Sequence, residues 1–245
     1  MLRALILSGL LLVPAIQGAD EKTEITRRYQ IGGRVQAFPL QLFTVKTVET
    51  STTQPIADYK YTSTTDSQRA TLTPTFEFRL KPRLTIGTDF MLHHANYVEK
   101  QEIRTGKKDP NASTDDRKVT TITQTTKANY WELPVLVRYY GLRGSGILKR
   151  SYAIGGFGFR HIGRVRTGNE YSYADDTTDY NEAPAQPSRK NQFGAVAGFG
   201  IRFVDDFNIK VMPEVRYTRW AGFAFEGKSY KSVQNELRVG LGISF

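Results

Sequence analysis

Ten charged side chains stand out first, because each has at least one large apolar or aromatic chain neighbour: Glu77, Arg79, Asp89, Glu132, Arg138, Arg202, Glu214, Arg216, Glu236 and Arg238. Five are carboxylates and five are guanidinium groups. Taken out of water singly, any of them is costly, so a fold that turns them inward must pair acids with bases or admit solvent. Two arrangements use such a set: an ion-pair network that fills an interior, and a narrow polar channel lined by the same residues. The expectation is the network.

Other chemistry is poorly supplied. The chain has three histidines, His93, His94 and His161, and no cysteine, which excludes thiol catalysis and zinc–thiolate sites. Adjacent residues on a strand point to opposite faces, so His93 and His94 cannot share a metal there. Gly155-Gly156-Phe157-Gly158 and Gly198-Phe199-Gly200 lack the following helix and lysine of a phosphate loop. The pairs Asp115-Asp116 and Asp175-Asp176 have no EF-hand spacing and read as solvated loop acids. Nothing calls for a cofactor or a metal.

The elements that must position the charged residues are strands. Val233–Phe245 puts Val233, Asn235, Leu237, Val239, Leu241, Ile243 and Phe245 on one phase and Gln234, Glu236, Arg238, Gly240, Gly242 and Ser244 on the other. That period of two makes one apolar and one polar face. The same alternation predicts strands over 29–42, 70–80, 84–97, 128–140, 151–166, 191–204 and 207–220, about eight in all. Pro74 removes a ladder donor from the second and predicts a bulge or a gap in pairing.

Between them, 43–69, 99–127 and 167–190 read as long polar loops, and the stretch around 226–231 as a polar connection. The links at 81–83, 141–150 and 205–206 are short. Long and short connections therefore alternate, as an up-and-down transmembrane barrel with long loops at one rim requires. Tyr139, Tyr140, Tyr152, Phe203, Phe207 and Phe245 fall near the short-turn ends, and Tyr97, Tyr130, Trp131 and Trp220 near the long-loop ends, the places for two interfacial aromatic girdles.

The mean hydropathy of −0.43 is compatible with this, since only alternate strand residues would face lipid. Arg3, the apolar run 4–16 and small residues up to Ala19 read as a cleaved signal peptide over residues 1–19, leaving 20–245 as one barrel domain. Export makes the sequon Asn111-Ala112-Ser113 a chance match in a surface loop. The formal charge is +10; removing Arg3 leaves 33 basic against 24 acidic residues, or +9. With the charges dispersed and no nucleic-acid motif, lipopolysaccharide phosphates are better counter-charges than nucleic acid. A soluble lipocalin-like barrel stays open at this point; apolar lumen residues would favour it, charged ones a membrane barrel.

With its alternating strands, loop–turn asymmetry and terminal Leu237-Arg238-Val239-Gly240-Leu241-Gly242-Ile243-Ser244-Phe245, the sequence resembles the small outer-membrane β-barrels, the class of the OmpA membrane domain and OmpX. Trp131-Glu132-Leu133-Pro134-Val135-Leu136-Val137-Arg138-Tyr139-Tyr140 resembles a strand of the outer membrane protein beta-barrel domain group. The resemblance implies an all-β antiparallel barrel of about eight strands in the bacterial outer membrane, monomeric and surrounded by outer-membrane lipid and lipopolysaccharide. It also implies delivery by the barrel-assembly machinery, with Phe245 as the assembly signal. Some barrels of this kind modify lipid A, but the His-x-Ser spacing of the deacylases is missing at His161. The expected function is non-catalytic, in envelope structure or surface recognition, with a narrow pore and then a lipid A-modifying enzyme as alternatives.

Overall fold

The computed structural model describes residues 28–53, 56–109, 115–142, 146–173, 175, 177–183 and 187–245. The signal peptide, the sequon Asn111-Ala112-Ser113 and Asp176 lie outside them. The elements in order are β1 (Tyr29–Ala37), β2 (Phe43–Val45), β3 (Val48–Thr53), β4 (Ile56–Thr65), β5 (Ala70–Lys81), β6 (Leu84–Asp89), β7 (Met91–Thr105), β8 (Lys118–Tyr140), α1 (Ile147–Arg150), β9 (Ser151–Ser172), β10 (Thr178–Ala183), β11 (Asn191–Ile201), β12 (Phe203–Val204), β13 (Lys210–Trp220), β14 (Tyr230–Ser232) and β15 (Asn235–Ser244). No helix among the described residues is long and apolar enough to cross a membrane. The strands do the crossing.

All ladders are antiparallel. Pairing runs β1–β5–β6–β8–β9–β11–β13–β15 and returns from β15 to β1 through Gly32↔Ser244 to Ala37↔Val239. With β6 and β7 counted as two halves of one strand, this is the eight-strand up-and-down order that the alternation predicts. The halves separate at Phe90, which donates its N–H to Pro74 O at 3.1 Å. Pro74 has no N–H to return, and Pro134 on β8 faces the same break from the other side, so the gap expected at Pro74 appears in the strand opposite it.

Along each ring strand the inward phase is buried and the outward phase exposed, and the polarity is inverted relative to a soluble protein. Outward lie Ile31, Val35, Leu72, Phe76, Leu133, Val137, Phe199, Val215, Val239, Leu241 and Ile243. Inward lie Arg34, Gln36, Thr73, Glu77, Asp89, Glu132, Arg138, Glu214, Arg216, Glu236 and Arg238, all buried. Charged residues line the lumen, so the lipocalin-like alternative falls and the apolar phase is the lipid-facing one.

Two expectations are corrected. First, much of the long polar loops is strand. Upper β7 pairs with lower-numbered β8 from Tyr97↔Thr126 to Thr105↔Lys118, and β4, β3 and β10 extend this into a sheet ordered β3-β4-β7-β8-β9-β10 beyond the ring. Its Thr, Tyr, Val and Ile content favours strand, but apart from Ala57, Tyr61 and Ser63 of β4 the side chains beyond the ring are mostly half-buried or exposed on both faces, so the apolar–polar alternation that reveals a strand is weak. Second, five of the ten girdle aromatics point inward: Tyr97, Tyr130, Tyr140, Tyr152 and Trp220 are buried. The outward aromatics toward the long loops are Phe90, Trp131, Phe159, Phe193 and Tyr217, whereas Tyr139, Phe207 and Phe245 do face outward at the short-turn rim.

Above the lumen, β2 and β14 form a separate two-stranded sheet, Tyr230↔Val45 to Ser232↔Phe43. It brings Phe43, Phe225 and Tyr230 onto Tyr97, with ring centroids 5.0, 5.7 and 4.3 Å from that ring. Leu42, Ala95, Ala128, Tyr130, Ile162 and Ala224 complete this apolar layer. The connection around 226–231 is therefore a lid. It is latched by Ser229, whose N–H and Oγ both donate to Glu99 Oε1 at 3.2 and 2.5 Å, while its Oγ sits 2.6 Å from Ser63 Oγ.

Candidate functional site

The interior below the lid holds two groups of ions. In the group toward the short turns, Arg34 on β1 places Nη1 2.8 Å from both oxygens of Asp89 on β6 and Nη2 3.3 Å from Glu214 on β13. Arg216, two residues along β13, contacts both Asp89 and Glu214. Arg138 on β8 sits 2.9 Å from Glu77 on β5 and about 4 Å from Asp89 and Glu214. Three arginines thus face three carboxylates. Neutral donors complete the carboxylates: Tyr140 Oη donates to Glu77 and Tyr152 Oη to Glu214, each at 3.0 Å.

Toward the lid, Arg160 on β9 and Arg238 on β15 each contact both Glu132 on β8 and Glu236 on β15; Arg160 Nε reaches Glu132 at 2.7 Å. Trp220 Nε1 donates to Glu236 at 3.1 Å, and the Arg160 guanidinium lies 4.0 Å over the Trp220 ring and 4.8 Å over Tyr130. Here two arginines face two carboxylates. Seven ring strands contribute to one group or the other, so the ions tie the walls together across the lumen.

Small residues make the room. A Cβ on Gly240 or Gly242 would meet the Arg34 side chain at 3.2 and 3.1 Å, and one on Gly194 or Gly158 the Trp220 ring at 2.8 and 3.1 Å. The polar, small-residue phase of the last strand is thus the seat of Arg34.

Of the ten residues singled out from sequence, eight lie in these groups. Arg79 and Arg202 stand at the short-turn rim, half-buried, Arg202 with its guanidinium 4.6 Å over the Tyr140 ring. Arg34 and Arg160 are central and were not anticipated. Arg34 is on the phase opposite Ile31 and Val35, and Arg160 keeps the phase of Tyr152 through a run of glycines, so strict alternation finds both. Phe245 donates its N–H to Ile31 O at 3.1 Å and keeps its ring on the outer wall.

The histidines are dispersed. His93 is buried between Phe38 and Tyr130, ring centroids 4.5 and 5.0 Å away, with neither ring nitrogen hydrogen-bonded. His94 and His161 face outward, 2.8 Å from Asn129 Oδ1 and 2.6 Å from Asn191 Oδ1 on the neighbouring strands. Among the described residues no group of three metal-ligating side chains occurs.

A polar, ion-filled lumen inside an apolar eight-strand wall defines a transmembrane β-barrel of the outer-membrane type. The family described as "Outer membrane protein beta-barrel domain" matches residues 42–243, and the chain belongs to that family; it is a protein of the bacterial outer membrane. No curated protein matches the chain. Among solved structures it is similar to Ail, the attachment invasion locus protein of Yersinia pestis, at 9% identity and a TM-score of 0.34 over 89% of this chain and 96% of that one. The complex of Ail with the heparin analogue sucrose octasulfate gives 8% and 0.33 over the same shares. CarO of Acinetobacter baumannii gives 12% and 0.18 over 91% and 99%.

Proposed function

We propose that the protein is a non-catalytic outer-membrane barrel whose lumen is plugged by its own side chains, and whose extended outer sheet serves surface recognition or envelope structure. The observation that carries this reading is the charge balance within the two ion groups of the lumen, three arginines against three carboxylates and then two against two, with Lys210, buried on the inward phase of β13, additional to this count. A conducting path lined by fixed charges normally carries a surplus of one sign facing water; here each ion is consumed by its neighbours, and an aromatic lid lies above. Three separated histidines, two of them paired to asparagines on the lipid-facing wall, argue against an acid–base centre. On this reading the protein works as a monomer among outer-membrane lipid and lipopolysaccharide, after insertion by the barrel-assembly machinery.

Reconstitution of the folded chain into planar bilayers tests the plug. No single-channel steps are expected; regular steps would replace the plug by a narrow pore. In parallel, lipid A from cells making the protein is expected to keep its mass, and a shifted mass would establish a lipid-modifying enzyme instead.

A further inference from the structure

Where β8 and β9 leave the membrane, the ladder sets Lys127 directly opposite Arg166 on the outward face. Like charges at directly opposed positions, about 5 Å apart at Cβ, work against the ladder. One step nearer the membrane the ladder shifts register, with Ala128 opposite Val165 and Tyr130 opposite Ile162. Gly163 and Arg164 together then face Asn129, a bulge that turns Arg164 outward beside the pair. Lys190, whose carbonyl accepts from Ile162 N at 2.7 Å, adds a fourth exposed cation next to the bulge.

Among the described residues Lys127, Arg164 and Arg166 make no ion pair and no side-chain hydrogen bond. Their outward neighbours in the ladders are neutral: Asn96, Thr125, Asn129 and Gly168. The nearest acid in register, Glu182 of β10, is opposite Gly168, one step farther out.

Depth is set by the strand. Trp131 marks the outward aromatic level on β8, and Lys127 is four residues farther out, about 13 Å along the strand and about 10 Å along the membrane normal at the usual tilt. Arg164 is at half that height. The group therefore spans the headgroup layer of the outer leaflet. Long basic stems can also bend toward it.

We infer that Lys127, Arg164 and Arg166 form a binding site for the phosphate group of an anionic outer-leaflet lipid, held against the outer wall of β8 and β9. The phosphate supplies the negative charge that the ladder lacks, and two guanidinium forks and one ammonium are suited to its oxygens. The inference rests on the outer-membrane placement of the chain and not on the state of the lumen.

The test uses the whole mature chain folded in neutral detergent, with heat-modifiable migration as the check of folding. Bisphosphorylated lipid A, the same lipid after enzymatic dephosphorylation, and inorganic phosphate are titrated in turn, with retention on the protein read by native mass spectrometry. Wild type should prefer the phosphorylated lipid, and K127Q/R164Q/R166Q should bind it about tenfold more weakly or worse, as loss of one or two charge-assisted contacts would give. K149Q/R150Q, which removes two positive charges at the opposite rim, should bind as wild type.

If the triple variant does not fold, R166Q alone carries the test. In neutral detergent it should unfold at the same or a higher temperature than wild type, because a like-charge pair has gone, and with phosphorylated lipid present at a lower one. A purely structural role for Arg166 cannot produce that reversal. Equal retention of both lipids by wild type, equal binding by the triple variant, or competition by inorganic phosphate at the concentration of the lipid would each overturn the inference.

Discussion

At the residue scale, the lumen is decided by whether its ions are dry. Asp89 contacts Arg34 and Arg216 and lies 4.0 Å from Arg138, with no exposed side-chain surface. Asp89→Asn leaves three arginines facing two carboxylates. Breaking a buried pair from one side costs about 3–5 kcal/mol, and urea unfolding of the folded barrel should show a loss of that size. A loss under about 1 kcal/mol, the value of an exposed pair, would mean that water reaches Asp89 and would favour a channel. His93 offers the opposite sign. Its ring nitrogens are buried without partners between two aromatic rings, and such orphaned groups cost about 1–3 kcal/mol each. His93→Phe should therefore leave stability unchanged or raised in the same unfolding assay, and a clear loss would reveal a partner for the ring. Period two alone places eight of the ten charged residues in the lumen groups, Glu132 and Arg238 among them, while Arg34, Arg160 and the inward aromatics Tyr97, Tyr130, Tyr140, Tyr152 and Trp220 came only with the structure. The composition of each ion group was not legible, because it depends on the order of pairing round the ring: Arg34 meets Asp89, 55 residues away, across the lumen.

At the element scale, the lid and the outer sheet are where reading by alternation failed. The lid strands β2 and β14 are three residues long, too short to show a period, and the outer sheet is largely polar and half-exposed on both faces, so neither gives a clear amphipathic signal. Each supplies a prediction. Phe43 and Phe225 are buried in the lid layer, and Phe225→Ala should cost about 3–5 kcal/mol of local packing. That loss should speed amide exchange in β2 and β14 and leave the β13–β15 ladder protected; uniform exchange would mean that lid and barrel open together. Near the turn of the β7–β8 hairpin, Arg117 donates to Asp115 at 2.8 Å from both Nε and Nη2, and to Asp58 on β4 at 2.6 Å from Nη1. These bonds hold the Asp115 carboxyl well below the usual range; a hydrogen bond from Ser51, then Arg117, lowers Asp58. A carboxylate depressed in the folded state stabilises it above its unfolded value, about 3.9, and the contribution fades as pH falls through the folded value. Limited proteolysis of this hairpin should thus be unchanged from neutral pH to about 5 and increase only well below 4. Arg117→Gln should expose it at neutral pH. Protection lost already near pH 6 would assign the tether to another group.

At the scale of the whole molecule, the alternation of short and long connections sets an orientation that intact cells can report. The turns at 81–83, 141–150 and 205–206 share one rim with the last strand's end, where Phe245 is bonded to Ile31; the outer sheet and the lid occupy the other. Short turns belong to the periplasmic side of such barrels. The chain has no cysteine, so a single introduced thiol is an unambiguous marker. Lys60 on β4 and Lys149 in α1 are both exposed and lie at opposite rims. Lys60→Cys should react with a membrane-impermeant maleimide on intact cells, and Lys149→Cys only after the outer membrane is opened. The reverse pattern would invert the barrel and move the Lys127–Arg164–Arg166 group to the periplasmic leaflet. Labelling of both in intact cells would mean that the wall does not separate the two sides, and the reading of the apolar phase as lipid-facing would fail with it.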